Sequence, residues 1–179
     1  MKVLVTGGVR CGKSTHAEAL VADLAGGGPV LYIAPGPVPD PLVDEDWAAR
    51  VAAHRARRPG SWTSVETAQV EAALGAAEEP VLVDCLGTWL TRVVDDHDAW
   101  DAPADHVRAL VDDRLAAVAA AVRACPHDVV LVSNEVGWGV VPVHRSGRLF
   151  RDLLGTVNQR VAEACNEVHL VVAGRVLRL

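Results

Sequence analysis

The sequence predicts an α/β fold in which a mainly parallel β-sheet is flanked by helices. Three observations lead to this prediction. Short apolar runs rich in β-branched residues recur along the chain, as expected for strands buried inside a parallel sheet. Segments with apolar residues at helical spacing lie between these runs. A glycine-rich loop, residues 7–14, joins the first run to the first helical segment. Together they make a βαβ unit, whose crossover is right-handed.

The glycine-rich loop reads Gly-Gly-Val-Arg-Cys-Gly-Lys-Ser and fits the pattern G-x-x-x-x-G-K-[ST] of a phosphate-binding loop. It follows a predicted strand over 2–6 and precedes a predicted helix over 16–24, which is the context that the motif needs. In such loops, backbone N–H groups and the positive end of the helix surround phosphate oxygens. Lys13 is expected to reach the β- and γ-phosphates, and the hydroxyl of Ser14 to ligate Mg²⁺.

A glycine-rich turn that only joins a strand to a helix is the alternative interpretation of the loop. The flanking strand and helix favour nucleotide binding, so we expect a P-loop NTPase-type (RecA-like) sheet.

Length, charge and cysteine spacing narrow the class of protein. A chain of 179 residues, half of them hydrophobic, can bury one core, so we predict a single domain over residues 1–179. The formal net charge of −6 argues against a nucleic-acid partner. No apolar run approaches the length of a membrane span and no signal-peptide pattern begins the sequence, so we expect a cytoplasmic protein. The 4 cysteines form no C-x-x-C pair, which favours reduced thiols over a zinc site.

The remaining elements follow from the same periodicities. Further strands are predicted over 30–34, 62–66, 80–84, 129–135, 168–172 and 176–179, and further helices over 44–58, 68–77, 86–94, 105–124 and 150–165. The last two strands, separated by Ala173 and Gly174, are expected to form a C-terminal hairpin. Trp47 and Val51 are expected on the buried side of the helix over 44–58. The proline-rich residues 34–41 are expected to form a surface loop at the carboxyl end of a strand, where ligands bind in such sheets.

Two further positions are candidates for chemistry. Asp84 ends an apolar strand, where phosphate-loop enzymes place a carboxylate that holds Mg²⁺; a water-facing strand end is the alternative. His54 shares a helix stripe with Arg50 and Arg57. From spacing alone it is either a solvated residue or a group that meets an anionic phosphate.

Residues 133–135, Ser-Asn-Glu at the tip of another apolar strand, lie where a substrate loop is expected.

Several segments together resemble one family, the bifunctional adenosylcobinamide kinase / adenosylcobinamide-phosphate guanylyltransferases of cobalamin biosynthesis. The resemblance covers essentially the whole chain. It rests on residues 6–14, 50–59 with Trp62 and Glu66, 83–90, 133–142 and 150–159. The Asn-Glu-Val-Gly block at 134–137 and the Phe-Arg-Asp block at 150–152 are far more specific than the phosphate loop.

The resemblance implies two activities and a set of site residues. Family members phosphorylate adenosylcobinamide with ATP or GTP, then transfer GMP from GTP through a guanylyl-histidine to give adenosylcobinamide-GDP. By position, His54 resembles that histidine, with Lys13 as a second catalytic residue and Ser14 and Asp84 as Mg²⁺ ligands. The resemblance also implies a homotrimer. The nucleotide contacts that it implies are Gly7, Gly8, Val9, Arg10, Cys11, Gly12, Lys13, Ser14, Ala34, Pro35, Gly36, Arg55, Ala56, Arg57, Arg58, Glu66 and Asp84.

Two of these positions carry specific expectations. Glu66 is the candidate for base selection, because a carboxylate can accept hydrogen bonds from the guanine N1–H and 2-amino group, which adenine does not supply. Cys11 stands where the family usually has serine. Its backbone N–H remains, so phosphate binding is expected to survive while the loop becomes sensitive to thiol reagents.

Two other functions remain open at this point. A small-molecule kinase could use the phosphate loop without a guanylyl intermediate, and it would transfer only the γ-phosphoryl group. A non-catalytic GTP-binding module would lose binding in Lys13→Ala and would show no turnover.

Overall fold

The computed structural model describes residues 1–38 and 42–179. Its strands are β1 (Lys2–Gly7), β2 (Leu31–Ala34), β3 (Thr63–Glu66), β4 (Val81–Asp84), β5 (Val129–Val132), β6 (Glu167–Val172) and β7 (Arg175–Arg178). Its helices are α1 (Lys13–Leu24), α2 (Glu45–Ala56), α3 (Val70–Gly75), α4 (Leu86–Asp95), α5 (Ala104–Ala124) and α6 (Arg145–Ala162). The described strands form one sheet in the order β3-β2-β4-β5-β1-β6-β7.

The sheet is parallel except at one edge. Neighbouring strands run parallel from β3 to β6, and β7 pairs antiparallel with β6 as the predicted hairpin. Strand β5 separates β1, which leads into the phosphate loop, from β4, which ends at Asp84. The carboxyl ends of β1, β2, β4 and β5 therefore meet at one edge of the sheet. This arrangement confirms the predicted P-loop NTPase-type (RecA-like) fold.

Apolar cores lie on both faces of the sheet, because alternate side chains of a strand point to opposite faces. On β1, Val3 and Val5 pack in the core that includes α1, whereas Leu4 packs in the larger core beneath α4, α5 and α6. Strand β5 is buried along its whole length, which explains its continuous apolar run. Trp89 is fully buried in the larger core, and its indole N–H donates to the carbonyl oxygen of Ala68 at 3.1 Å. In the described ranges, no helix has the length and apolar character to cross a bilayer.

Three predicted boundaries were wrong for local reasons. Helix α6 begins at Arg145 rather than at residue 150, because Arg148 donates to the carbonyl oxygens of Pro142 at 3.0 Å and Val143 at 2.6 Å and stabilises an extra turn. Helix α3 covers Val70–Gly75 rather than 68–77, because the Thr67 hydroxyl accepts from the N–H of Gln69 at 3.1 Å in a local turn. Strand β5 ends at Val132, so residues 133–135 form a loop.

The described side chains of helix α2 are less buried than those of α1, α4, α5 and α6. None of its described side chains is fully buried, and Val51, predicted on a buried face, is half-buried. The helix is rich in alanine and arginine, which offer little apolar surface to a core. The side chains of Trp47 and Arg50, and residues 39–41 of the predicted proline-rich loop, lie outside the described residues.

Candidate active site

The phosphate loop joins β1 to α1, and glycine allows its shape. Gly12, immediately before α1, has a φ of 99°, a left-handed conformation that glycine adopts without strain. A side chain at Gly7 would collide with the backbone carbonyl oxygen of Val171 on β6. Lys13 is buried, and its Nζ donates to the carbonyl oxygen of Gly8 at 3.2 Å. The ammonium group is therefore folded back over the loop.

The hairpin of β6 and β7 supports the phosphate loop from the side. The N–H of Gly174, in the hairpin turn, donates to the carbonyl oxygen of Cys11 at 2.8 Å. A Cβ built on Gly12 would lie 3.5 Å from the Cα of Gly174, so the two backbones are in contact. The hairpin predicted from the sequence thus takes part in shaping the loop.

Two cavities open on the phosphate loop and share Lys13, Ser14 and His54. The first, about 290 Å³, is lined by the predicted residues Lys13, Ser14, Ala34, Gly36, His54, Arg58, Glu66 and Asp84. The second, about 840 Å³, lies between the loop and α2 and is lined by the predicted residues Arg10, Cys11, Gly12, Lys13, Ser14, His54 and Arg57. Outside the described lining of both cavities lie the predicted residues Gly7, Gly8, Val9, Pro35, Arg55 and Ala56.

Asp84 lies at the end of β4 with 8% of its side chain exposed. The Tyr32 hydroxyl donates to its Oδ2 at 3.2 Å. Burial, and then the charge of Asp84, raises the pKa of Tyr32, which keeps this hydroxyl a neutral donor. Nδ1 of His54 lies 3.8 Å from the same Oδ2, beyond hydrogen-bond distance. The carboxylate of Asp84 and the hydroxyl of Ser14 line the same cavity, and hard oxygen donors of this kind fit Mg²⁺.

Two arginines attach the end of α2 to strands β2 and β3. Arg55 forms an ion pair with Glu66 at the end of β3. The guanidinium carbon of Arg58 lies 3.3 Å from the ring centre of Tyr32, a cation–π contact. Nη1 of Arg58 donates to the Ser64 hydroxyl at 2.9 Å. Glu66, the predicted base-selecting residue, lines the first cavity, and its carboxylate is held there by the positive charge of Arg55.

Arg57 attaches α2 to α1 through Glu18. Its Nε and Nη2 donate to the two carboxylate oxygens of Glu18 at 3.2 and 3.0 Å, which is a two-point ion pair. The hydrogen bonds to Glu18 raise the pKa of Arg57. Nη2 also lies 3.4 Å from Nδ1 of His54. Glu18 follows Ser14 by one turn on the same face of α1.

One group of described side chains has the spacing of a metal site. Glu18, His54 and Asp84 each offer a ligand atom, and these atoms lie within 4.8 Å of one another. The guanidinium of Arg57, however, contacts both Glu18 and His54. Its permanent positive charge disfavours a metal cation held by Glu18 and His54, so we assign Glu18 to the attachment of α2, and Asp84 stays a candidate Mg²⁺ ligand with Ser14.

The block at 133–135 contributes both to the support of the phosphate loop and to the wall of the first cavity. Oε1 of Glu135 accepts from the Thr6 hydroxyl at 3.1 Å and from the Asn158 amide at 3.2 Å. The N–H of Glu135 donates to the carbonyl oxygen of Gly7 at 3.0 Å, which supports the start of the phosphate loop. Asn134, by contrast, lines the first cavity, where a substrate loop was expected.

Sequence reasoning missed Tyr32 and Glu18. Tyr32 is the single tyrosine of the sequence and lies in an otherwise apolar strand. A buried tyrosine hydroxyl usually has a hydrogen-bond partner, so its position is a weak signal for a polar group nearby. Glu18 could have been found from its helical spacing to Ser14, but its partner Arg57 lies 39 residues further along the chain.

The fold and the loop place the chain among the P-loop nucleotide-binding enzymes. Within that class, residues 3–179 match the family described as cobinamide kinase / cobinamide phosphate guanyltransferase. The chain belongs to this family, as the five segments of the sequence indicated.

Curated relatives match along nearly the whole chain. The bifunctional adenosylcobalamin biosynthesis protein CobU of Escherichia coli K12 is 43% identical over 97% of both chains. The protein of the same name from Salmonella typhimurium LT2 is 41% identical over 97% of both chains. The bifunctional adenosylcobalamin biosynthesis protein CobP of Pseudomonas aeruginosa PAO1 is 36% identical over 97% of this chain and 94% of the relative. The names of these relatives agree with the family description, which gives kinase and guanyltransferase activities.

Proposed function

We propose that the protein, as a single domain over residues 1–179, catalyses both reactions of its family. It phosphorylates adenosylcobinamide with ATP or GTP, then transfers GMP from GTP to give adenosylcobinamide-GDP in cobalamin biosynthesis. The family match over residues 3–179 is the observation that carries this proposal. The position of Lys13, Ser14 and His54 at the border of both cavities supports it, because one loop can then serve both steps.

His54 is the nucleophile of the second reaction in this proposal. A neutral ring nitrogen attacks the α-phosphorus of GTP; the P–N bond forms, the P–O bond to the β-phosphate breaks, and pyrophosphate leaves. The phosphate of phosphorylated cobinamide then attacks the same phosphorus, and the P–N bond breaks as the new P–O bond forms. Lys13, together with Arg57 and Arg58, offsets the charge that develops on phosphate oxygens. The 21% exposure of the His54 side chain supports its access to substrate.

Ser14 and Asp84 are the residues that would hold Mg²⁺. Bound there, the ion would neutralise charge on neighbouring phosphate oxygens.

Glu66 is proposed to select guanine by accepting hydrogen bonds from the N1–H and the 2-amino group of the base. Its place in the wall of the first cavity supports this role, and the ion pair with Arg55 would orient the carboxylate.

We further propose a homotrimer that works in the cytoplasm, where ATP and GTP are supplied. Exposed apolar side chains at Val140 and Val143, after β5, and at Leu177 on β7 would suit an interface between copies. Light scattering coupled to size exclusion tests the assembly, because a trimer has three times the mass of the 18.9 kDa chain.

Intact-protein mass spectrometry after incubation with GTP and Mg²⁺ tests the central proposal. We expect an acid-labile increment of one GMP in the wild type and none in His54→Ala. The His54→Ala variant should still phosphorylate adenosylcobinamide with ATP. An increment that persists in His54→Ala would remove His54 from the role, and no increment under any condition would leave a kinase or a binding module.

A further inference from the structure

The described contacts around His54 are polar. None of the described side chains of α2 is fully buried, whereas buried apolar surface usually fixes a helix. The contacts described above begin at three arginines: Arg55 leads to β3, Arg57 to α1, and Arg58 to both β2 and β3. Charged side chains therefore contribute directly to where the histidine lies relative to the phosphate loop.

The Glu18–Arg57 pair differs from the other contacts in what it connects. Glu18 lies on α1, the helix that begins at the phosphate loop, so the pair ties the histidine helix directly to the phosphate-binding element. It is a two-point pair, which fixes orientation as well as distance. Glu66 and Tyr32, the partners of Arg55 and Arg58, both line the first cavity.

Glu18 lies outside the described lining of both cavities, but it holds a residue that lines one of them. Its side chain is 14% exposed, and neither described lining includes it. Arg57, by contrast, lines the second cavity together with His54. The Glu18 carboxylate also lies within 4.8 Å of ligand atoms of His54 and Asp84, but its described hydrogen bonds come from Arg57, so we take Arg57 as the route by which Glu18 acts.

Arg57 also contacts a ring nitrogen of His54. A guanidinium has donors and no acceptor, so in the tautomer that satisfies the 3.4 Å contact Nδ1 accepts. In that tautomer the proton is on Nε2, and Nδ1 carries the lone pair that can attack phosphorus. A phosphoryl group that approaches Nδ1 meets the Arg57 cation at the same time, and a phosphate oxygen can replace the long contact.

We propose that Glu18 is a positioning residue for guanylyl transfer, which holds Arg57 so that its guanidinium and Nδ1 of His54 meet the α-phosphate of GTP together. The inference rests on the proposed function, because it takes His54 as the nucleophile. Phosphorylation of adenosylcobinamide by ATP does not use His54, so it should not depend on Glu18.

The first test is Glu18→Gln, which keeps the size of the side chain and removes its charge. We expect the maximal rate of covalent GMP attachment to fall about tenfold, with the GTP concentration for half-maximal rate changed less than about twofold. The rate of ATP-dependent phosphorylation should stay within about twofold. Glu71→Gln is the matched control, because Glu71 forms a half-buried ion pair with Arg114 at 3.1 Å between α3 and α5. Equal losses in both activities, or the same loss in Glu71→Gln, would overturn the inference.

A double-mutant cycle with Arg57→Gln then tests the route of the effect. If Glu18 acts through Arg57, Glu18→Gln should lower the guanylylation rate about tenfold in the wild type and less than about twofold in the Arg57→Gln background. A tenfold loss in both backgrounds would contradict a role through Arg57.

The same measurements separate this inference from the proposed function. If the wild type gains no GMP, or His54→Ala still gains it, both are overturned. If the wild type gains GMP, His54→Ala does not, and Glu18→Gln reacts at the wild-type rate, only the role of Glu18 is overturned.

Discussion

Two histidines close to the phosphate-loop helix are held in opposite ways. His169 on β6 is fully buried, with Nδ1 2.9 Å from Nε2 of His16 on α1 and Nε2 2.9 Å from a carboxylate oxygen of Glu167. His54 is partly exposed, and its described contacts, 3.4 Å to Arg57 and 3.8 Å to Asp84, are long. Both ring nitrogens of His169 are thus engaged at short distance, whereas the two described contacts of His54 are longer.

The buried histidine pair disfavours a charged ring at His16. The Glu167 carboxylate can only accept, so His169 donates to it from Nε2. Burial, and then the proximity of His169 and Arg178, lowers the pKa of His16. The hydrogen bond from His169 lowers the pKa of Glu167. A histidine beside a carboxylate is therefore a fixed structural link at His169, whereas the two described contacts of His54 are longer.

The largest expected effect that separates the two sites is the loss of the nucleophile. His54→Ala should lower GMP attachment more than about a thousandfold, because removal of a covalent nucleophile leaves no substitute. Its midpoint of thermal unfolding should stay close to that of the wild type, since the side chain is partly exposed. Mass spectrometry and calorimetry check the two results. A large fall in the unfolding midpoint would show that His54 is structural after all.

Cys11 offers a chemical probe of which side of the loop is open. Cys11 lines the second cavity, whereas Cys125 is buried. Burial raises the pKa of the Cys85 thiol, and it raises the pKa of Cys165 to about 12. Iodoacetamide at pH 8 should therefore label Cys11 first, as peptide mapping would show. GTP at ten times its dissociation constant should slow this labelling about tenfold, because bound protein is protected. Labelling of Cys11 that GTP leaves unchanged would place the nucleotide elsewhere.

His169→Ala should give the converse of the His54 result. The substitution leaves a cavity and removes the buried partner of His16, so we expect a loss of about 3 kcal/mol in unfolding free energy. The midpoint of thermal unfolding should fall by roughly 9 °C. GMP attachment at 20 °C should persist in the folded fraction. His106→Ala on the exposed side of α5 is the control and should change neither property. If a stable His169→Ala protein lost guanylylation, His169 would contribute to the reaction and not only to stability.

The smallest expected effect is a pH dependence of stability. The folded protein disfavours protonation of His16, whose ordinary pKa is 6.5, so the unfolded state binds this proton first as pH falls. The stabilising contribution is therefore present above pH 6.5 and is lost as pH falls below it, towards the lowered pKa of the folded state. Urea unfolding at pH 7.5 and 5.5 should show a smaller loss in His16→Gln than in the wild type. An equal loss in both would assign the dependence to other groups.

Local patterns were enough to predict most of the fold. The phosphate loop, the strand ending at Asp84 and the hairpin at Ala173 and Gly174 follow from short stretches of sequence, and the structure contains all of them. The family of the chain followed from longer blocks, and the comparisons confirm it. The role of His54 came from that resemblance alone and stays a prediction.

Contacts between distant segments could not be predicted from periodicity. The order of strands places β5 between β1 and β4, and no local pattern encodes that order. The pair of Glu18 with Arg57 and the link of His16 to His169 join elements whose side chains meet only after the sheet has assembled. The start of α6 was missed because an arginine bonding to backbone carbonyls, rather than apolar spacing, stabilises its first turn.

The contact between Gly174 and Cys11 has a consequence for biosynthesis of the chain. The ribosome makes the residues of the phosphate loop first, but the backbone that supports them belongs to β6 and the turn after it, which are made much later. A nascent chain therefore carries the complete motif long before the backbone that supports it has been made. We therefore expect nucleotide capture to be a late event in the maturation of this protein, even though the motif for it emerges first.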